Sequence, residues 1–436
     1  MPHLPLYAPP QGLNPTCSAR LVLFILVASV GYLPVISFLN ARGISASPAL
    51  VGLFEVAIYA LCLYVLGKRL PMATVAFTLC AFAWIVFTWL MRQSADAKTL
   101  RDLIIPILFL TLGRHLADAG VAEKGLKLIV IMVVSVGLFE AVFTDTYAEL
   151  FNTFAFYRQV TGVSEDAAMF KGQMLSLNGY RPEGIGRTIL PFLLGSHRTS
   201  SLFLEPVGLG NFAVIVLAWA LSKPWPEIRR AHIFTFGAVL LITLSDSRFG
   251  LLMSAMLVFF RWLPLSLSSK VAPALPVLSL GLVLAVTVFL PSPDDNFVGR
   301  VTSSGLAVLE FDWRMLLGLG SPLPNFGDMG FAYLLSRFGA PLSIALVLTL
   351  FLIPMPNDRA RRFRILIVLY VFANLAISGT SVFALKSAGI LWFLVGVLST
   401  LPAERANPSA DLAPQKVGLE PLRAPFQPQA MMDIPA

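Results

Sequence analysis

Cysteine, histidine and charge are all scarce in this chain. Its 436 residues include three cysteines, four histidines and only 13% charged side chains. Cys17 lies in the N-terminal segment, and Cys62 and Cys80 fall in apolar runs, which gives neither a disulfide framework nor metal-ligand spacing. His3, His115, His197 and His232 are scattered, so no metal site is expected. So little charge excludes a soluble globule of ordinary surface. The net charge of +8 contains no basic cluster interleaved with aromatics, which argues against nucleic acid as a partner.

What the chain has instead is apolar sequence, 57% of it, in recurring runs of about twenty residues. A run of that length crosses ~30 Å of hydrocarbon. Twelve spans are expected, at roughly 20–39, 49–66, 71–90, 102–116, 126–143, 203–222, 231–245, 248–263, 274–290, 330–354, 364–380 and 384–400. The first run is long for a signal-peptide core, and Ser45-Ala46-Ser47 before Pro48 is a poor cleavage context, so it is read as a retained helix.

Putting the N-terminus in the cytoplasm makes every short cytoplasmic connection basic: Lys68-Arg69, Arg114/Lys124/Lys127, Lys223/Arg229/Arg230, Arg261/Lys270 and Arg359/Arg361/Arg362/Arg364. The fold class read from this is an all-α polytopic membrane protein of about 12 transmembrane helices. Residues 1–19 and 401–436 are expected to be disordered cytoplasmic tails, rich in proline, on either side of one transmembrane domain, 20–400. A long loop, 144–201, and a second, 291–330, then lie on the periplasmic or extracellular side. The first is long enough to form a partly helical cap over a site.

Polar residues collect at the exported ends of these spans. In HRTSSLFLEPVGLGNF, residues 197–212, Arg198 precedes Glu205-Pro206, which opens the sixth span; proline suits the first helical turn, and the macrodipole stabilises a carboxylate there. Glu205 is therefore a cap or a functional group. Gly208 and Gly210 admit close approach by a neighbour or a ligand. TLSDSRFG, residues 243–250, sets Asp246 and Arg248 at the next outer junction, either as a structural ion pair or as a functional arginine at membrane depth. The second loop carries Asp294, Asp295, Arg300, Asp312, Arg314 and Asp328, with Asp328 at the mouth of the tenth span; SGTSVFALK adds Lys386 on the same face. Arg158, Arg181 and Arg187 read either as ordinary charges of a solvated loop or as part of a cap over a site, and His197 as a surface-loop residue. Arg198, Arg248, Arg300 and Lys386 come from four junctions, and such convergence suits a phosphate or pyrophosphate.

In HRTSSLFLEPVGLGNF, SDSRFG, DNFVGR, GDMGFAYLLSRFG and SVFALKSAGILW, in that order over about residues 195–395, the chain resembles Wzy-type polysaccharide polymerases of the O-antigen ligase/polymerase superfamily, most of all the xanthan-type exopolysaccharide polymerases. The resemblance implies a glycosyltransferase of the bacterial inner membrane that needs neither metal nor other cofactor. It transfers a growing glycan from undecaprenyl diphosphate to the next lipid-linked oligosaccharide repeat. Its partners are that lipid-linked oligosaccharide, the bilayer, and polysaccharide-export and chain-length components. Carried onto this chain, Arg198, Arg248 and Arg300, with Lys386 and Arg314, hold the pyrophosphate, and Glu205 serves as base or positioner ahead of Asp246 and Asp328. Two alternatives stay open: an O-antigen ligase with another acceptor, and a flippase or transporter of the same lipid-linked repeats.

Overall fold

The computed structural model describes residues 15–402 except 68–69, 117, 162–174, 176–178, 180–186, 294–296, 322–325, 327–328 and 378–379. Among the described residues the structure is all helical, with no strand. The chain runs through α1 (Pro15–Ala41), α2 (Pro48–Leu66), α3 (Met72–Arg92), α4 (Ala97–Leu116) and α5 (Ala119–Val142). Short α6 (Thr144–Phe151), α7 (Thr153–Thr161) and α8 (Pro191–Leu194) follow. After them come α9 (Pro206–Ser222), α10 (Trp225–Arg230), α11 (His232–Ser245), α12 (Arg248–Trp262), α13 (Leu265–Val271) and α14 (Leu275–Phe289). The last are α15 (Phe297–Leu309), α16 (Trp313–Leu316), α17 (Gly330–Leu352), α18 (Asp358–Ile377) and α19 (Leu385–Leu398).

Among the described residues, six segments are long and apolar enough to cross a membrane: Ser18–Ala41, Pro48–Leu66, Met72–Arg92, Ala119–Val142, Leu265–Phe289 and Gly330–Leu352. The protein is thus multi-pass by length and composition. Pro206–Ser222, His232–Ser245, Phe297–Leu309 and Leu385–Leu398 are apolar but shorter. Every residue of α9 except Val207 is buried, as expected of a helix that is apolar all round.

Helix α4 begins at Ala97, earlier than its apolar run suggests. Asp96 stabilises that start by accepting from the amide of Lys98 at 3.2 Å and the hydroxyl of Thr99 at 2.5 Å. The extra turn brings Lys98 and Arg101 into the helix ahead of Asp102.

Glycines bring α4 and α19 into backbone contact. A Cβ at Gly113 would stand 2.1 Å from the carbonyl oxygen of Phe393, and one at Gly396 2.2 Å from that of Leu110. Gly389 meets the ring of Phe109. Small residues at such a seam let helices approach where no water exists to drive them together. The register rises together on both helices, so they run parallel. Asp102 and Lys386 therefore lie toward the same end of the bundle.

The long segment after α5 does contain helices, as a cap requires. Ser37 Oγ donates to the carbonyl of Phe151 at 2.5 Å, and Gln159 Oε1 accepts the amide of Ala46 at 3.0 Å, fastening α6 and α7 over the ends of α1 and α2.

Candidate functional site

The site grows from the mouth of α9. Glu205 occupies the N-cap position in an extended conformation and Pro206 follows it, yet the glutamate side chain makes no capping hydrogen bond. The capping alternative therefore does not describe this carboxylate. Its Oε2 lies 3.6 Å from Nζ of Lys386, on the first turn of α19. The lysine side chain is 9% exposed and that of Glu205 is 36% exposed, so a buried ammonium holds a carboxylate that solvent and ligands can reach. Lys386 Nζ also donates to the carbonyl of Phe203 at 2.8 Å.

Gly208 explains how the lysine fits: a Cβ there would lie 3.3 Å from both Cε and Nζ of Lys386. Gly210, two residues on and so on the far side of the helix, faces the start of α12 instead, where a Cβ would meet Ser247 Oγ at 2.3 Å. The two close approaches expected at these glycines are thus by Lys386 and Ser247. Deeper on α9, Asn211 Oδ1 accepts from Tyr370 at 3.0 Å and from Asn374 at 2.8 Å, and its amide donates to Ser381 Oγ at 3.0 Å. This network fixes α18 and the turn before α19 against α9.

The turn just before Glu205 is strained. Ser201 and Leu204 have φ of 49° and 55°, a region that costs non-glycine residues about 1–3 kcal/mol. Glu140, fully buried near the end of α5, holds that turn. Its oxygens accept the amide of Ser200 at 2.9 Å and that of Ser201 at 2.5 Å. His197 Nε2 stands 3.0 Å from Glu140 Oε1, so the histidine is an anchored member of this site, not a plain loop residue. Tyr147 closes the turn from the other side, donating to the carbonyl of Ser201 at 2.7 Å.

Arg187, read from sequence as loop charge, is buried. It donates to the carbonyls of Ile189, His197, Thr243 and Leu244, tying the returning loop to the end of α11. Arg198 is also buried, and its Nε donates to the carbonyl of Ser245 at 3.2 Å. Asp246 is fully buried in the left-handed residue that ends α11, and its Oδ1 accepts the amides of Thr188 and Ile189 at 3.0 and 2.8 Å. That geometry makes Asp246 a clamp on the loop, a poor arrangement for a base. Arg248 is exposed and donates from Nε to Thr188 Oγ1 at 2.7 Å, so it and Asp246 meet on the same short segment.

The second loop contributes less. Arg300 stands exposed in the first turn of α15, and Arg314 is exposed on α16 with its guanidinium 5.3 Å from the Trp313 ring centre. Asp294, Asp295 and Asp328 lie outside the described residues. The structure thus joins Glu205 to Lys386 and gathers Arg198, Asp246 and Arg248 around the returning loop.

A further charged group, unforeseen as a unit, lies at the same end between α2, α3, α4 and α17. Arg101 pairs with Asp102 at 2.9 Å and reaches Glu55 at 3.8 Å; Glu55 accepts from Tyr32 at 2.8 Å. Tyr333 donates to Asp102, and Arg337 pairs with Asp96.

The arrangement at α9 offers a reachable carboxylate beside a fixed cation, with arginines nearby on the loop that enters the same turn. Such a set can orient a hydroxyl and accept its proton while cations stabilise a departing anion. No family model matches the chain, and neither the curated proteins nor the solved structures contain a match to it.

Proposed function

We propose that this protein is a metal-independent exopolysaccharide polymerase of the Wzy type, crossing the bacterial inner membrane twelve times with both ends cytoplasmic. The parallel run of α4 and α19 supports that topology, because both would then enter from the exported face. The donor is a glycan on undecaprenyl diphosphate and the acceptor is the next lipid-linked repeat. The observation that carries this reading is Glu205: a carboxylate at a helix mouth, unused as a cap, one-third exposed and set beside Lys386.

In this reading an acceptor hydroxyl attacks the anomeric carbon of the donor sugar. Its proton passes to Glu205, the bond from that carbon to the diphosphate oxygen breaks, and the lipid diphosphate leaves with the electron pair. Lys386 holds the Glu205 carboxylate in place. Arg198 and Arg248 receive the diphosphate, with Arg300 and Arg314 supplied from the second loop. Asp328, outside the described residues, remains a candidate from sequence alone.

One observation favours a second reading. Glu55 and Asp102, both buried, meet the partly exposed Arg101 inside helices, a pattern that transporters use near the bilayer midplane. A flippase for the same lipid-linked repeats is that alternative. The test is the purified protein in nanodiscs supplied with a lipid-linked repeat unit. A ladder of longer lipid-linked glycans supports the polymerase; transfer onto a different acceptor with no ladder supports a ligase. Movement of the substrate across vesicles without any ladder overturns both.

A further inference from the structure

Helix α4 turns one stripe of side chains to a cavity. Asp102, Pro106, Leu110 and Arg114, each four residues after the last, line a space of about 270 Å³. The cavity therefore follows the helix for three turns, roughly 18 Å at 1.5 Å per residue. That is a little over half of the ~30 Å hydrocarbon thickness of a bilayer, the reach of one lipid chain. A dry apolar cavity of about 150 Å³ already holds a benzene ring.

Helices α3 and α17 share in the lining. Trp84 and Arg92 tie the later half of α3 to α17, donating to the carbonyls of Phe338 and Ser336. Ala73 and Phe77, in the first half of α3, line the cavity together with Leu346 and Leu350 of α17.

The two ends of the cavity differ in charge. Asp102 stands at one, and its carboxylate is already matched by Arg101 and Tyr333. Arg114, half-buried in the last turn of α4, stands at the other, and among the described residues no carboxylate pairs with it. Arg364 adds charge behind that wall: its Nη1 donates to the carbonyls of Phe351 and Ile353 at 2.9 and 3.0 Å, and Ile353 lines the cavity. Trp392 of α19 supplies a donor just inside. A Cβ at Gly396 would stand 3.0 Å from the backbone nitrogen of Arg114, so Trp392, four residues earlier on α19, lies about one turn deeper than the arginine. Trp392 lines the cavity, and its Nε1 is buried without a hydrogen-bond partner, although a buried indole NH ordinarily finds one.

We infer that this cavity is a phospholipid site: one acyl chain lies along the α4 stripe, an ester carbonyl accepts from Trp392, and the anionic phosphate meets Arg114. A cation at the rim, an amphipathic tryptophan below it and apolar side chains beyond match such a lipid group by group. Helices α4 and α19 run parallel, so Arg114 lies at the opposite end of the bundle from Lys386 and Glu205. The bound lipid therefore belongs to the leaflet opposite the one that the α9 site faces. It is no substrate of that site, and its binding does not depend on what that site does.

The test is native mass spectrometry of the delipidated full chain in neutral detergent, with phosphatidylglycerol or phosphatidylcholine of the same acyl chains added. Wild type is expected to bind one phosphatidylglycerol on the order of tenfold more tightly than phosphatidylcholine, because only the first brings a net charge to Arg114. Arg114→Gln is expected to erase that preference. Leu346→Trp, which sets an indole in the cavity, is expected to lose the tight site for either lipid. Absence of a preference in wild type, its survival in Arg114→Gln, or wild-type binding by Leu346→Trp overturns the inference. Displacement of the phosphatidylglycerol by undecaprenyl phosphate overturns it too, because the cavity would then serve a polyprenyl chain. Should Leu346→Trp fail to fold, Trp392→Phe removes the donor and keeps a ring, and it is expected to weaken phosphatidylglycerol binding about threefold. Unchanged affinity in that variant overturns the site.

Discussion

Lys386 Nζ stands between the Glu205 carboxylate, at 3.6 Å, and the carbonyl of Phe203, at 2.8 Å. One ammonium on the first turn of α19 thus orients both the candidate base and the strained turn that precedes it. Glu205→Gln keeps the shape and removes the proton acceptor. Polymerisation in a nanodisc assay is expected to fall on the order of 10²-fold, with the thermal midpoint unchanged. Activity near that of wild type would remove Glu205 from the chemistry.

Gly208 tests the lysine through its neighbour. A methyl at this position meets Lys386 Cε and Nζ at 3.3 Å, and the end of a flexible side chain can yield by a few tenths of an ångström. Gly208→Ala is therefore expected to leave stability nearly intact while misplacing the ammonium, lowering the transfer rate roughly tenfold. The readout is initial rate beside a melting curve. A large fall in melting temperature with an unaltered rate would contradict it.

Glu140 is expected to behave as a structural group. Glu140→Ala strands the amides of Ser200 and Ser201 inside the protein, and the loss is expected to be about 3–5 kcal/mol. Thermal denaturation in detergent measures it. A fully stable variant that has lost only activity would instead move Glu140 into the reaction.

Arg187 and Arg198 should separate in the same way. Arg187 fastens four carbonyls, so Arg187→Lys is expected to cost about 1–3 kcal/mol of stability. Arg198→Lys should melt like wild type yet lose polymerisation on the order of 10²-fold. Unimpaired polymerisation by Arg198→Lys would take that arginine out of the diphosphate site.

The seam between α4 and α19 makes a purely structural prediction. Gly396→Ala sets a methyl 2.2 Å from the Leu110 carbonyl oxygen, and backbone cannot step aside as a side chain does. The expected cost is about 1–3 kcal/mol, read from thermal unfolding.

Much of this architecture is legible because lipid leaves so few options. Among the described residues each of the twelve apolar runs is largely helical, and the glycines after Glu205 mark real close approaches. Pairing across the chain is what the linear pattern hides. Glu140 looks like one polar residue near the end of an apolar run, and its partners lie some 60 residues on. Arg337 stands alone in its helix by sequence, while its carboxylate belongs to the turn before α4. Arg187 and Arg198 are alike in a row of letters; only the path of the loop makes one a fastener. Glu205 stands at a helix mouth, as its sequence context indicates, but its partner sits at the start of α19.

That last helix also sets a timetable. A chain emerging from the ribosome has Glu205 in the membrane long before Lys386 exists, and the groove on α4 stays open until α19 slides alongside it. Synthesis must therefore pass α19 before the carboxylate is aimed. A chain interrupted before α19, however well its earlier helices insert, carries a carboxylate with nothing to hold it.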